Sequence, residues 1–167
     1  FLAGKVLDQY RGTPYYGLLE SAFEKIQHFL PEIVTINLSL AAEGLSFDVG
    51  PVRTPETTIF QQVVQAVSDH ETLSIEYFTQ SRNILTERKV DPYHVLNFRG
   101  DWYVIGYCHW RKAMRDFAIT RIRSAEKTGE YFAVLEGFDL NAYLRQGFGI
   151  EKGGAPTNVA IWFDPYQ

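Results

Sequence analysis

Two stretches of the chain repeat their apolar residues at the spacing of an α-helix. The first stripe is formed by Leu18, Leu19, Ala22, Phe23, Ile26, Phe29 and Leu30. Thr13-Pro14 predicts its start, because threonine is a good N-cap and proline is tolerated at the first helical position, and Pro31 predicts its end. Thr54-Pro55 repeats this signal before a second stripe, which predicts a helix ending near Asp69. That stripe consists of Ile59, Phe60, Val63, Val64 and Val67.

Between Thr72 and Phe132 the apolar period changes to two, which predicts short β-strands. We place them at residues 72–78, 86–91, 93–98, 102–109, 114–122 and 125–132. Pro92 separates the second strand from the third, and these two are either separate strands or one bent strand. Arg99-Gly100-Asp101 predicts a tight hairpin turn. Because links of hairpin length cannot join parallel strands, the pattern predicts an α+β fold in which a small antiparallel barrel follows amphipathic helices.

The remaining segments suggest a piece of a longer protein. Residues 33–38 and 45–49 alternate and predict a hairpin or an extended connector, and residues 138–144 predict a short helix. Residues 157–163 predict a strand without a following partner, and residues 1–10 resemble the end of an earlier helix. We therefore expect sequence to be missing at both ends.

Charge is segregated along the chain. Residues 82–127 contain ten Lys or Arg and five Asp or Glu, whereas the rest contains six basic and fifteen acidic residues. One module can therefore attract an anion although the net charge is -4. Basic residues scattered over a solvated surface would give the same count, so both interpretations stay open.

Several classes of function find no support. The sequence has no phosphate-binding glycine loop, no dinucleotide fingerprint and no nucleophile elbow, so we expect neither an enzyme nor a cofactor. No pair among the four histidines has metal-ligand spacing, so we expect no metal site. No signal peptide or membrane-length apolar run is present, and a single cysteine, Cys108, fits a reducing compartment. We predict a cytoplasmic protein that does not enter a membrane.

Two neighbouring predicted strands concentrate arginines and aromatic rings. Alternation places Arg115, Phe117, Ile119 and Arg121 on one face of the strand 114–122. Guanidinium groups match phosphate oxygens, and an aromatic ring can stack on a base, so this face could bind a nucleotide. Alternatively, the arginines pair with Asp116, Glu87 or Glu76 while the aromatic rings fill a core.

Four segments in order closely resemble the motifs of the WYL domain, a module of bacterial transcription regulators. They are Ile75-Glu76-Tyr77, Arg88-Lys89-Val90-Asp91-Pro92, Gly100-Asp101-Trp102-Tyr103-Val104, and Arg115-x-Phe117 followed by Arg121-Ile122. The resemblance covers about residues 57–133, and Val104 replaces the leucine of the family name. Ala118 and Thr120 stand where the family often has Arg and Asp.

The resemblance implies an Sm-like, SH3-type barrel that senses single-stranded nucleic acid or a nucleotide-like effector. It also implies operator DNA binding by a winged helix-turn-helix that precedes this sequence. The binding surface that it implies consists of Arg88, Tyr103, Arg115, Phe117 and Arg121, together with His109 and Tyr77. Residues 1–56 would then be a helical linker and dimerisation segment, and residues 134–167 a linker with the start of a C-terminal extension. The alternative is an interaction module that forms a homodimer and binds no small ligand.

Overall fold

The computed structural model describes residues 7–29, 53–145, 160 and 162. The helices are α1 (Tyr16–Phe29), α2 (Thr57–Asp69) and α3 (Leu140–Arg145), and the strands are β1 (Glu71–Thr79), β2 (Ile84–Phe98), β3 (Asp101–Cys108), β4 (Ala113–Ala118) and β5 (Ile122–Tyr131). The described residues up to Val134 belong to one compact unit and those from Leu135 to another. The predicted hairpin at 33–38 and 45–49 lies outside the described residues, as does nearly all of the predicted strand at 157–163. Of the helix predicted to end in residues 1–10, Leu7 and Asp8 are described, and both are helical.

Both predicted helices before the sheet exist, but neither begins at its Thr-Pro pair. The hydroxyl of Thr13 donates to the carbonyl of Tyr10 at 2.7 Å, and α1 starts at Tyr16. At α2 the cap is Glu56, whose carboxylate accepts from the backbone N–H groups of Thr58 and Ile59. Both helices therefore begin two residues later than predicted. At α2 the reason is that Glu56, which the sequence does not single out, satisfies the free N–H groups.

The five strands form one antiparallel sheet in the order β4-β3-β2-β1-β5, so the α+β class is confirmed. Strands β4 and β5 occupy the two edges, and the described ladders do not close the sheet. A closed Sm-like barrel is therefore not confirmed by the strand pairing. The face that α2 covers carries the buried side chains, and we call it the inner face. Among the side chains of this core are Phe60, Leu73, Ile75, Val90, Val104 and Cys108.

The strand β2 continues through Pro92, so the two segments around this proline are one strand. Its first half pairs with β1 and its second half with β3, and a register shift between Pro92 and His94 bends it. Gly106 on β3 faces the bend: a Cβ built there would lie 2.5 Å from the carbonyl oxygen of Asp91. The bend therefore depends on a residue without a side chain.

The predicted strand at 114–122 was wrong in its second half. The strand β4 ends at Ala118, and a 3-10 turn, Ile119–Arg121, leads into β5. Ile119 is buried in the core. Its apolar side chain fitted the strand pattern, but the turn buries it just as well. The alternation on which the shared face of Arg115 and Arg121 rested stops at this turn.

Candidate anion-binding site

Arg88 lies on the inner face of the sheet, although it is charged. On β2 it is paired with Ile75, and its neighbours on the same face are Thr86 and Val90. The residue is 8% exposed, and its Nε donates to the hydroxyl of Thr86 at 3.1 Å. Within the described residues it forms no ion pair with an acid. A buried guanidinium without a carboxylate is costly, so this position favours an anion from solution.

Trp110 covers this guanidinium from the loop between β3 and β4. The Cζ of Arg88 lies 4.2 Å from the centroid of the Trp110 ring, and the Cζ of Arg111 lies 4.9 Å from it. Trp110 is 53% exposed, so part of the ring is open to solvent. Such cation-π contacts stabilise the ring beside the charges. The result is an aromatic ring with one buried and one exposed arginine around it, which we call the Trp110 cluster.

Hydrogen bonds anchor the loop that carries the Trp110 cluster. The backbone N–H of His109 donates to the carbonyl of Lys89 at 3.0 Å. The imidazole Nε2 of His109 lies 2.8 Å from Oδ1 of Asp91. Asp91 is buried and also accepts from the hydroxyl of Thr72 at 2.7 Å. His109, one of the predicted site residues, therefore fixes the loop to β2.

Tyr103 and Arg121 come together at a different place. Tyr103 is paired with Ala118, and Phe117 is paired with Val104, so the tyrosine lies on the outer face. Burial raises the pKa of the Tyr103 hydroxyl and the charge of Asp101 adds to this, while Arg121 and Arg53 lower it. These two predicted residues therefore form a second basic-aromatic pair, and its tyrosine lies on the face of the sheet opposite Arg88.

Tyr77 and Phe117 belong to the core. Their rings make an edge-to-face contact at 5.1 Å, and the Tyr77 hydroxyl accepts from the backbone N–H of Ala118 at 3.3 Å. Phe117 is 3% exposed and Tyr77 is 9% exposed. Neither ring is available for stacking on a ligand, which corrects the expectation that Phe117 offers such a surface.

Arg115 is exposed and on the inner face, but it is not beside Arg88. The residues Val90, Cys108 and Ala113 form one row across three strands. Arg88 lies two residues from this row along β2, and Arg115 lies two residues from it along β4 in the opposite direction. The two arginines are therefore on opposite sides of the row. Neither Arg115 nor Arg121 forms an ion pair within the described residues, so the alternative in which acids neutralise them is not observed.

The predicted surface is thus divided, and its most enclosed part includes residues that the sequence did not identify. Trp110 and Arg111 were missed because they lie between two predicted strands, 102–109 and 114–122. Two features of the sequence could have identified Trp110. It stands directly before the basic pair Arg111 and Lys112, and it follows Cys108 by two residues, so alternation puts both side chains on the same face. Within the described part of the chain, no group of His, Cys, Asp or Glu side chains could hold a metal ion, and no helix has the length and apolar character needed to span a bilayer.

Comparison with known proteins gives a consistent result. A 65-residue stretch is 42% identical to the DNA-binding transcriptional repressor CapW of Pseudomonas aeruginosa, covering 36% of this chain and 21% of that protein. CapW of Escherichia coli is 26% identical over 78 residues, or 47% of this chain and 26% of that protein. The uncharacterized HTH-type transcriptional regulator YobV of Bacillus subtilis (strain 168) is 28% identical over 105 residues, or 62% and 33%. The chain thus spans at most about a third of these relatives.

Among solved structures, Proteasome accessory factor B/C (PafBC) of Arthrobacter aurescens matches 48% of this chain and 12% of its own chain, at 31% identity and a TM-score of 0.43. The family model described as the WYL domain matches residues 58–127, which include all seven predicted site residues. The motif resemblance is confirmed: residues 58–127 of the chain match the WYL domain.

Proposed function

We propose that this chain is the effector-sensing part of a DNA-binding transcription regulator, and that it binds single-stranded nucleic acid or a nucleotide-like anion at the Trp110 cluster. The observation that carries the proposal is Arg88, a buried arginine without an acidic partner in the described residues. The names of the relatives support the regulatory part.

The chemistry of the cluster suits a phosphate attached to a base. The Nε of Arg88 is occupied by Thr86, which leaves the two Nη groups as a fork for phosphate oxygens. The open part of the Trp110 ring would stack on the base, a contact worth about 1–3 kcal/mol. Arg115 and Arg121 would add longer-range attraction rather than direct contact.

Ligand binding would act on the winged helix-turn-helix that the resemblance implies. It would do so by favouring one arrangement of the linker, residues 1–56, relative to the sheet. The Trp102 indole, on the strand that leads to the Trp110 loop, donates to the carbonyl of Gln9 at 3.0 Å. The sheet is therefore in direct contact with the segment nearest the N-terminus that the structure describes. A ligand that prefers one arrangement of this contact would shift the population of the regulator. In this proposal residues 57–133 form the sensor, in an Sm-like arrangement, between a linker and a C-terminal extension.

The experiment is fluorescence anisotropy with a short labelled single strand at several salt concentrations. We expect Arg88→Gln to weaken binding by about 1.5–3 kcal/mol, or roughly tenfold to a hundredfold, because a charge-assisted contact is lost. The matched control is Arg123→Gln, which removes the same charge from an exposed position on β5. The guanidinium of Arg123 lies over the ring of Phe78, a residue of β1. Binding should also weaken as salt rises. Equal affinity of the two variants would refute the proposal.

A second function, assembly, is favoured by α1. Leu18, Ile26 and Phe29 follow each other at helical spacing and are 72%, 54% and 88% exposed. We propose that this stripe buries against a second copy to form a homodimer. Light scattering should show a dimer that Leu18→Glu with Phe29→Glu converts to a monomer, while binding through Arg88 is retained. A monomeric starting protein at high concentration would contradict the assembly proposal and leave ligand binding unaffected.

A further inference from the structure

We propose that the Trp110 cluster recognises a phosphate monoester, at the end of a strand or on a mononucleotide, in preference to an internal phosphodiester. This inference rests on the proposed function, because it concerns which phosphate the same site accepts. Three features of the site support it: the depth of Arg88, the second arginine at the ring, and the interruption of the basic surface.

The first feature is the depth of Arg88. The residue is 8% exposed, its Nε is held by Thr86, and the Trp110 ring covers the guanidinium at 4.2 Å. A phosphodiester carries a sugar on both sides, and both sugars would need room next to the buried group. A terminal phosphate has one substituent and can enter end-on. The enclosure of the cation therefore selects against internal phosphates on steric grounds.

The second feature is the charge around the ring. A phosphate monoester carries about 1.5 to 2 negative charges near neutral pH, whereas a phosphodiester carries one. Arg88 and Arg111 both lie within 5 Å of the Trp110 centroid, at 4.2 and 4.9 Å. Arg111 is exposed and has no acidic partner in the described residues. Two guanidinium groups at one ring, neither with an acidic partner in the described residues, match the larger charge of a monoester.

The third feature is that the basic surface does not continue from Arg88 toward Arg121. Tyr77 and Phe117, on the inner face with Arg88, are packed into the core. Tyr103, whose pKa Arg121 lowers, lies on the outer face. A protein that binds along a single strand uses a continuous basic groove with successive stacking rings. Here one ring stands at one enclosed cation, which suits recognition of an end.

The test uses the full 167-residue chain and a single strand with a 5′-phosphate and a dye at its 3′ end. Unlabelled competitors are the same strand with a 5′-phosphate, with a 3′-phosphate or with neither, and the pair of adenosine 5′-monophosphate and adenosine 3′,5′-cyclic monophosphate. We expect each monoester to compete at least about tenfold better than its matched competitor without one. The strand arms and the mononucleotide arms separate a strand end from a free nucleotide as the source.

Arg111→Gln keeps the inference testable if replacement of the buried Arg88 lowers stability. Arg111→Gln should reduce the ratio between the affinities of each monoester and its matched competitor severalfold, without lowering the unfolding midpoint. Arg123→Gln should leave this ratio unchanged. Equal competition by all strands, with binding still dependent on Arg88, would overturn the inference and leave the proposed function standing. If no competitor or strand binds, both fail.

Discussion

Replacing Gly106 with alanine should destabilise the sheet at the bend of β2. The added Cβ would lie 2.5 Å from the carbonyl oxygen of Asp91, 2.9 Å from Cγ1 of Val90 and 3.1 Å from Cα of Pro92. Two of these three atoms belong to the backbone, so a change of side-chain rotamer cannot relieve the contact. The strands β2 and β3 would have to separate by about 0.9 Å to bring the shortest contact to an ordinary 3.4 Å.

The magnitude follows from the cost of overpacking. Forcing one methyl group into a well-packed site costs about 1–3 kcal/mol. For a chain of this size, each kcal/mol lowers Tm by roughly 2–4 °C, so we expect Gly106→Ala to lower Tm by about 2–12 °C. Because Asp91 also anchors His109, the same variant should weaken the ligand binding that we propose for the Trp110 cluster.

The assay is thermal and urea unfolding followed by circular dichroism. Gly17→Ala is the control: Gly17 lies in α1, and a Cβ there meets nothing within 4 Å. Alanine favours a helix by about 0.8–1 kcal/mol over glycine, so this variant should be as stable as the original protein or more stable. The two substitutions are chemically identical, and only Gly106→Ala should destabilise the protein. Equal stability of Gly106→Ala and the unsubstituted chain would refute the reasoning.

Two further predictions concern the packing of α2. Phe60 is fully buried and meets Trp102 edge to face at 5.0 Å, so Phe60→Ala should lower the free energy of unfolding by about 3–5 kcal/mol and Phe60→Leu by clearly less, as measured by urea unfolding. Lys127 lowers the pKa of Asp69 below its usual 3.8 through a 2.6 Å contact, so this pair stabilises the fold above pH 4 and the effect is lost as the pH falls through the lowered value. Unfolding measured from pH 7 to pH 2 should therefore show that Lys127→Ala is less stable than the original at neutral pH and that the difference shrinks in acid; a difference independent of pH would contradict this.

The elements that follow from periodicity were largely predictable from sequence. The apolar stripe of α2, the strands on either side of Arg99-Gly100, and the turn itself are where the pattern placed them; Arg99 and Gly100 have the positive φ angles, 52° and 85°, that a two-residue hairpin turn needs. Element ends were less predictable, because caps and the 3-10 turn after Ala118 depend on tertiary contacts. Alternation alone also extends a strand through Ile119, since a buried side chain fits either structure.

The site was harder to predict than the fold. Arg88 entered the predicted site through the motif resemblance, and its strand was predicted from periodicity. Its burial, without an acidic partner in the described residues, follows from which face β2 turns inward. Arg115 and Arg121 were grouped by a periodicity that ends between them. Trp110 lies between two predicted strands, and the sequence alone does not show that a residue there folds back over a strand residue 22 positions earlier.

The length of β2 has a mechanical consequence. The strand β2, Ile84–Phe98, contains the buried Arg88 near its beginning and ends at the hairpin that leads into β3. On β3, the Trp102 indole donates to the carbonyl of Gln9. A pull on the guanidinium is therefore transmitted along extended backbone, which resists stretching far better than a loop does. The bend at Pro92, packed against Gly106, is where this strand departs from straight extension, so loosening this point should weaken the coupling between the two ends even in a protein that still binds the proposed ligand.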